Sequence, residues 1–313
     1  MGWSVNKTGA LLAQNPQITR FIYLSDIITA TCFRKKDYLM IYIYKKYHIA
    51  YWCIGILEII GMVIANLILC RRTWVPAVPV TAVTILLVMV DAFIFTRLTS
   101  KKFSNEVFPL FYNCQVHKFI DETNRLFEKK AKGPVASMYN SIVARGYASI
   151  DDYDSVYECC QKIRTKGYKS EYHRLMIEYY LKNDQLDKAQ EEMDALRKLI
   201  VKMKNPKYIE GCETTIKNAE FYMRIQQGNY EGAEEHYQKQ LDTIKPLYPI
   251  TEVSYSYALG KLLFLKGEPE RARKYLQVAI DLGGDTKYKK FAEELLQKIY
   301  SKQYNSNING LIT

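Results

Sequence analysis

Histidine is scarce in this chain: four residues in 313, His48, His117, His173 and His236, none at the spacing of a metal-binding pair. Cysteine is no better organised. The seven (Cys32, Cys53, Cys70, Cys114, Cys159, Cys160 and Cys212) are odd in number, form no C-x-x-C pair and place Cys53 and Cys70 inside an apolar run. That pattern argues against a zinc site and a disulfide framework, and it fits a soluble part kept reduced in the cytosol. Also missing are a glycine-rich phosphate loop, an H-E-x-x-H pair and a nucleophile at motif distance from a base. The expectation is no enzyme, no cofactor and no metal.

Acidic charge is in deficit, 33 Asp and Glu against 44 Lys and Arg. The excess is unevenly placed. Residues 1–48 carry +7 and −2, residues 49–96 carry +2 and −2, residues 97–130 carry +7 and −4, and the remainder +28 and −25. Eight of the eleven surplus charges thus flank an apolar segment and do not lie on the soluble half. A nucleic-acid groove needs its charge on the folded domain, whereas basic flanks set membrane orientation. No nucleic-acid partner is expected.

The apolar segment holds two runs, 49–70 and 74–96, interrupted only by Arg71, Arg72 and Thr73. At about 1.5 Å per residue each spans roughly 33 Å, enough for a hydrocarbon core of about 30 Å. A transmembrane helical hairpin over 49–97 follows, with the arginines as its loop and Trp52 and Trp74 near opposite interfaces. Eight basic residues beside the outer ends, against two in the loop, put both termini in the cytoplasm of an integral cell-membrane protein. Each run has one acid, Glu58 and Asp91. Counted from the loop they lie about 21 Å and about 28 Å deep, so they are expected at different levels. Before the hairpin, residues 1–48 form a basic segment whose stretch Phe21 to Phe33 is too short to span and reads as interfacial.

After a juxtamembrane helix and linker (98–133, hinge "KAKGP" at 130–134), the soluble half shows an internal period. In 253–286 helical spacing is broken at Gly267 and resumes near Pro269. Leu259-Gly260, Leu263, Gly267, Ala272, Tyr275-Leu276 and Ala279 in this stretch resemble the tetratricopeptide repeat. Gly228, Ala233 and Tyr237 keep the same offsets, as do Asp184, Ala189, Met193 and Leu196, and in a fourth copy Val156, Cys160 and Ile163. Val156, Ala189, Ala233 and Ala272 are 33, 44 and 39 residues apart. The fold expected is all-α: a transmembrane hairpin, then an α-solenoid of such hairpins over 134–302, capped by a helix over 287–302 and followed by a disordered tail, 303–313.

The resemblance, to a membrane-anchored bacterial protein of this family, implies an inner surface lined by the first helix of each hairpin that binds peptides or proteins. The residues expected to point outward there are Arg174, Glu178, Asn218, Tyr222, Tyr257 and Lys261. Some members clamp a partner's terminal carboxylate, but Glu178 would oppose one, so that activity is not carried over. The function expected is a membrane-tethered interaction scaffold or adaptor at the cytoplasmic face, in contact with lipid and able to self-associate through the hairpin. The alternative is a small oligomeric channel or transporter subunit using Glu58, with the repeats regulatory.

Overall fold

Every regular element among the described residues of the computed structural model is helical; those residues are 41–72, 78–127, 131–243 and 248–311. They divide into two units. One takes in the chain up to Glu106 together with Arg125–Ala136, the other Val107–Asn124 and the chain from Ser137 onward.

In the first unit, α1 (Lys45–Arg72) and α2 (Val78–Glu106) pack antiparallel. Tyr47 and Tyr51 meet Phe95 edge-on at 6.4 and 5.9 Å, and Ile41, Ala92 and Phe95 make a small core. α1 runs past its expected span at both ends, whereas α2 starts four residues later than the run read from the sequence and ends ten residues later. Arg71 and Arg72 lie in the last turn of α1 and not in a loop, at the helix end that favours basic side chains. Both helices are long and apolar enough to cross a membrane. Away from their shared seam they are bare: Leu57 is 67% exposed and Leu86 60%. Thr73, Trp74, Pro76 and the Phe21–Phe33 segment lie outside the described residues.

The second unit begins with α3 (Phe108–Tyr112) and continues through α4 (Val116–Phe127) and α5 (Gly133–Ser149). Then follow α6 (Tyr153–Gln161), α7 (Lys169–Lys182), α8 (Leu186–Ile200), α9 (Pro206–Gln226), α10 (Ala233–Thr243), α11 (Pro249–Leu265), α12 (Pro269–Leu282) and α13 (Lys287–Leu311). The last of these runs nine residues beyond the 302 expected for the cap, into the stretch read as tail.

One turn is used again and again. Asp151, Asp184, Gly228 and Gly267 adopt φ of 68°, 53°, 78° and 82° between α5 and α6, α7 and α8, α9 and α10, and α11 and α12. After each, the next residue's N–H donates five residues back: Asp152 to Tyr147, Gln185 to Tyr180, Asn229 to Arg224 and Glu268 to Leu263, all at 2.9–3.0 Å. This is the left-handed stop that satisfies a helix's last carbonyls. Five residues past each turn stands a fully buried side chain, Val156, Ala189, Ala233 or Ala272, where the second helix meets the first. The period read from the sequence therefore marks a repeated helix–turn–helix. A fifth turn of the same kind, unseen in the sequence, stands at Cys114 (φ 58°), with Gln115 N–H on the Leu110 carbonyl at 2.8 Å.

Proline and asparagine set several starts. Asn205 caps α9 by accepting from Lys207 and Tyr208, and Pro206, Pro249 and Pro269 sit where a helix does not need the missing N–H. Successive helices then share cores. Ile177, Leu181, Ala189, Met193, Leu196, Cys212, Ile216 and Ala219 join α7, α8 and α9. Likewise α11 packs on α10, α12 and α13.

Candidate binding face

The first helices of the later hairpins, α7, α9 and α11, supply all six residues singled out in the sequence. Two of them do not point outward. Arg174 is partly buried and donates to Thr215 Oγ1 at 2.9 Å and to Glu171 at 2.9 Å. Asn218 gives its amide to the Tyr255 hydroxyl at 3.1 Å and takes His236 Nε2 on its oxygen at 2.7 Å. Both tie neighbouring helices together. Helical periodicity identifies a face, but the same face of a first helix meets the next hairpin along part of its length.

Around Arg174 lies the unit's most buried ion group. Glu171 is 4% exposed and accepts from Arg145, Arg174 and the Tyr208 hydroxyl. Burial alone would raise its carboxyl, but the two guanidiniums hold it down at about 2.

The other four, Glu178, Tyr222, Tyr257 and Lys261, come together, joined by residues from elsewhere. Lys182, one turn beyond Glu178, pairs with Asp151 at 2.8 Å and stands 5.2 Å above the Phe291 ring. Tyr257 packs at 5.8 Å on both Tyr288 and Phe291 of α13. Lys287 Nζ donates to the Tyr153 hydroxyl at 2.7 Å and lies over the rings of Tyr153 and Tyr288. Lys261 Nζ lies 5.6 Å from the Tyr222 ring centre. Burial lowers the ammonium pKa of both lysines; the charge of Lys182 lowers both further, while Glu178 and Asp151 act against it at Lys287. Burial likewise pushes the Tyr257 hydroxyl up to about 12. The arrangement is a tyrosine-lined cluster with three lysines, open to water at Glu178 and Lys182. It can attract and orient a charged group.

Lys182 and Tyr153 stand beside positions that the period picks out; Lys287 and Tyr288 carried no such signal, since α13 read only as a cap. Sequence reasoning also gave no sign of a cleft of about 610 Å³ between α8 and α9, lined by Leu186, Gln190, Lys217, Phe221 and Arg224 among others.

In the first unit, Glu58 and Asp91 are not at different levels. Their carboxyls are close enough across the helices to interact, and among the described residues no protein donor serves Glu58 Oε2 or Asp91 Oδ2. The reason is the start of α2: from Val78 to Asp91 is thirteen residues, and from Glu58 to Arg72 fourteen.

Among the described residues no group of three or more His, Cys, Asp or Glu could hold a metal ion. Comparison with family models, with curated proteins and with solved structures gives no significant match to this chain.

Proposed function

We propose that the chain is a membrane-tethered interaction scaffold of the tetratricopeptide-repeat kind, with α1 and α2 crossing the bilayer and the repeated hairpins presented at its cytoplasmic side. The observation that carries this reading is the contrast between the units. Two long helices pair with each other yet leave their apolar flanks bare, which in water would cost about 25 cal/mol per Å². The other unit buries its apolar residues and gathers charge and aromatics on the first helices. Tethering confines that face to a thin layer beside the membrane and raises its effective concentration toward partners held there.

Orientation is tested by reporter fusions after Arg72 and after residue 313, which should read outside and inside respectively. Partner binding is tested by crosslinking in native membranes, comparing the wild type with Glu178→Lys plus Lys182→Glu. Both positions are exposed, but Lys182→Glu gives up the ion pair with Asp151, so the variant should still fold, with a thermal midpoint lowered by a few degrees, while losing specific crosslinks. An unchanged set of crosslinks would remove this face from the proposal.

The pairing of Glu58 with Asp91 favours a second reading, a small oligomeric channel or transporter subunit with the repeats regulatory. Two facing acids inside an apolar pair of helices share a proton or bind a cation at a cost that function would have to justify. For this reading, Glu58→Gln must change ion flux in reconstituted vesicles.

A further inference from the structure

The end of the first unit where α1 begins and α2 finishes carries charge of nearly one sign. Residues 41–52 and 93–106 together hold Lys45, Lys46, Arg97, Lys101 and Lys102 against Glu106 alone. Antiparallel packing brings these groups to one level. Lys102 Nζ lies 4.8 Å from the centre of the Tyr44 ring and 5.9 Å from that of Tyr47, and Tyr47 in turn meets Phe95. The one acid is already engaged, because Glu106 accepts from the Tyr44 hydroxyl at 3.4 Å and pairs with Lys102 at 3.6 Å. Four cations are then in surplus, and Lys45, Lys46, Arg97 and Lys101 are all exposed. Among the described residues Lys45 and Lys46 form no ion pair.

Each helix passes from basic to apolar along one exposed stripe. On α1 the order is Lys45, Ile49, Trp52; on α2 it is Lys101, Arg97, Phe93, with Ile94 and Leu98 alongside. Spacings of three and four put these side chains on one face of their helix. At about 1.5 Å per residue the change of character takes roughly 6 Å on either helix. Trp52 turns its ring N–H toward the basic end, donating to His48 Nε2 at 2.8 Å, and the Arg97 guanidinium stands at the boundary itself, 5.3 Å over the Phe93 ring. A free oxyanion would use the cations and leave the apolar half of each stripe bare. A molecule with an anionic head and hydrocarbon chains covers both halves.

We propose that Lys45, Lys46 and Lys101, with Arg97 at the boundary, select anionic phospholipid at this end of the hairpin, the ammoniums on the headgroup phosphate and the acyl chains along Ile49, Trp52, Phe93 and Ile94. A zwitterionic lipid brings its own cation beside its phosphate and gains less from the surplus charge, whereas basic residues next to a spanning helix attract acidic headgroups. This site rests on the reading of α1 and α2 as membrane-spanning, and it adds to that reading a choice among lipids.

The test follows Trp52 in the full chain. Trp3→Phe plus Trp74→Phe leaves it the only tryptophan, and the protein is reconstituted in mixed phosphatidylcholine and phosphatidylglycerol vesicles with bromine on the chains of one lipid or the other. Brominated phosphatidylglycerol should quench Trp52 well beyond its share of the bilayer, with a relative affinity about tenfold above phosphatidylcholine. Changing Lys45, Lys46 and Lys101 together to Gln should bring quenching down to that share, while changing the same three to Arg should keep the excess. Inorganic phosphate at constant ionic strength should leave the excess in place, since it brings no chains; displacement by phosphate overturns a lipid as the ligand. Quenching in proportion to bulk composition in the wild type, or an excess that survives in the Gln variant, overturns the site. If phosphatidylcholine quenches Trp52 and no preference appears, the site fails and the spanning reading stands; if neither lipid quenches it, both fail.

Discussion

Single residues decide how closely the helices approach. Gly260 of α11 faces Leu276 of α12, and a Cβ at Gly260 would lie 2.8 Å from Leu276 Cγ and 3.3 Å from the Ala272 carbonyl oxygen. Gly260→Ala should therefore cost about 1–3 kcal/mol through overpacking, measured by denaturant unfolding. Pairing it with Leu276→Val should recover part of the loss. Acid sensitivity is also set by individual groups. Burial first, then the charges of Lys217 and Lys239, lowers His236 to about 4 from 6.5, and Glu171 is held at about 2 against 4.5. In both cases the unfolded chain binds more protons than the folded one within its window, pH 6.5 to 4 for His236 and 4.5 to 2 for Glu171. Stability must then fall as pH falls through each window. His236→Gln, which keeps a donor for Asn218, should abolish the upper stage of an acid titration followed by circular dichroism; an upper stage that survives would mean another group is responsible.

At the level of elements, the repeated turn makes an unusual pair of predictions. A left-handed conformation is free for glycine and costs other residues about 1 kcal/mol. Gly267→Ala should lose about that much, and Asp184→Gly should gain a smaller amount, because aspartate tolerates this region better than alanine; thermal midpoints moving in opposite directions would confirm that one conformation serves both positions. The same turn explains what could be read in advance. Gly228 and Gly267, each followed five residues later by alanine, are legible because glycine and alanine have few other reasons to recur at that distance. Cys114 hides the motif, since cysteine does not advertise a positive φ, and Asp151 signals it more weakly than glycine does. The pair α1 and α2 was legible from apolar length alone, but the level of Asp91 was not. It depends on where α2 begins, and four residues of difference move a side chain by about 6 Å.

On the scale of the whole second unit, an early helix and a late turn are joined. The carboxylate of Asp285 accepts from Val116 N–H at 2.6 Å and His117 N–H at 2.9 Å, while its own N–H donates to the Cys114 carbonyl at 3.1 Å. It caps α4 from 169 residues away. No periodicity could announce this, because periodic patterns report neighbours and Asp285 serves a distant one. The same holds for Lys287 and Tyr288 of the candidate face. Asp285→Ala should cost about 1–2 kcal/mol, the range for a lost cap. Its signature should be faster amide exchange at both 116–120 and 283–290, with the α7–α9 core unaffected.

Repeat arrays ordinarily fold from any point outward, each hairpin resting on the one before. The cap supplied by Asp285 changes the order of events during synthesis. Val116 and His117 emerge roughly 170 residues before their acceptor does, and at about 5–20 residues per second the wait is on the order of 10–30 s. For that interval α4, made directly after α3, stands with its first N–H groups open to water.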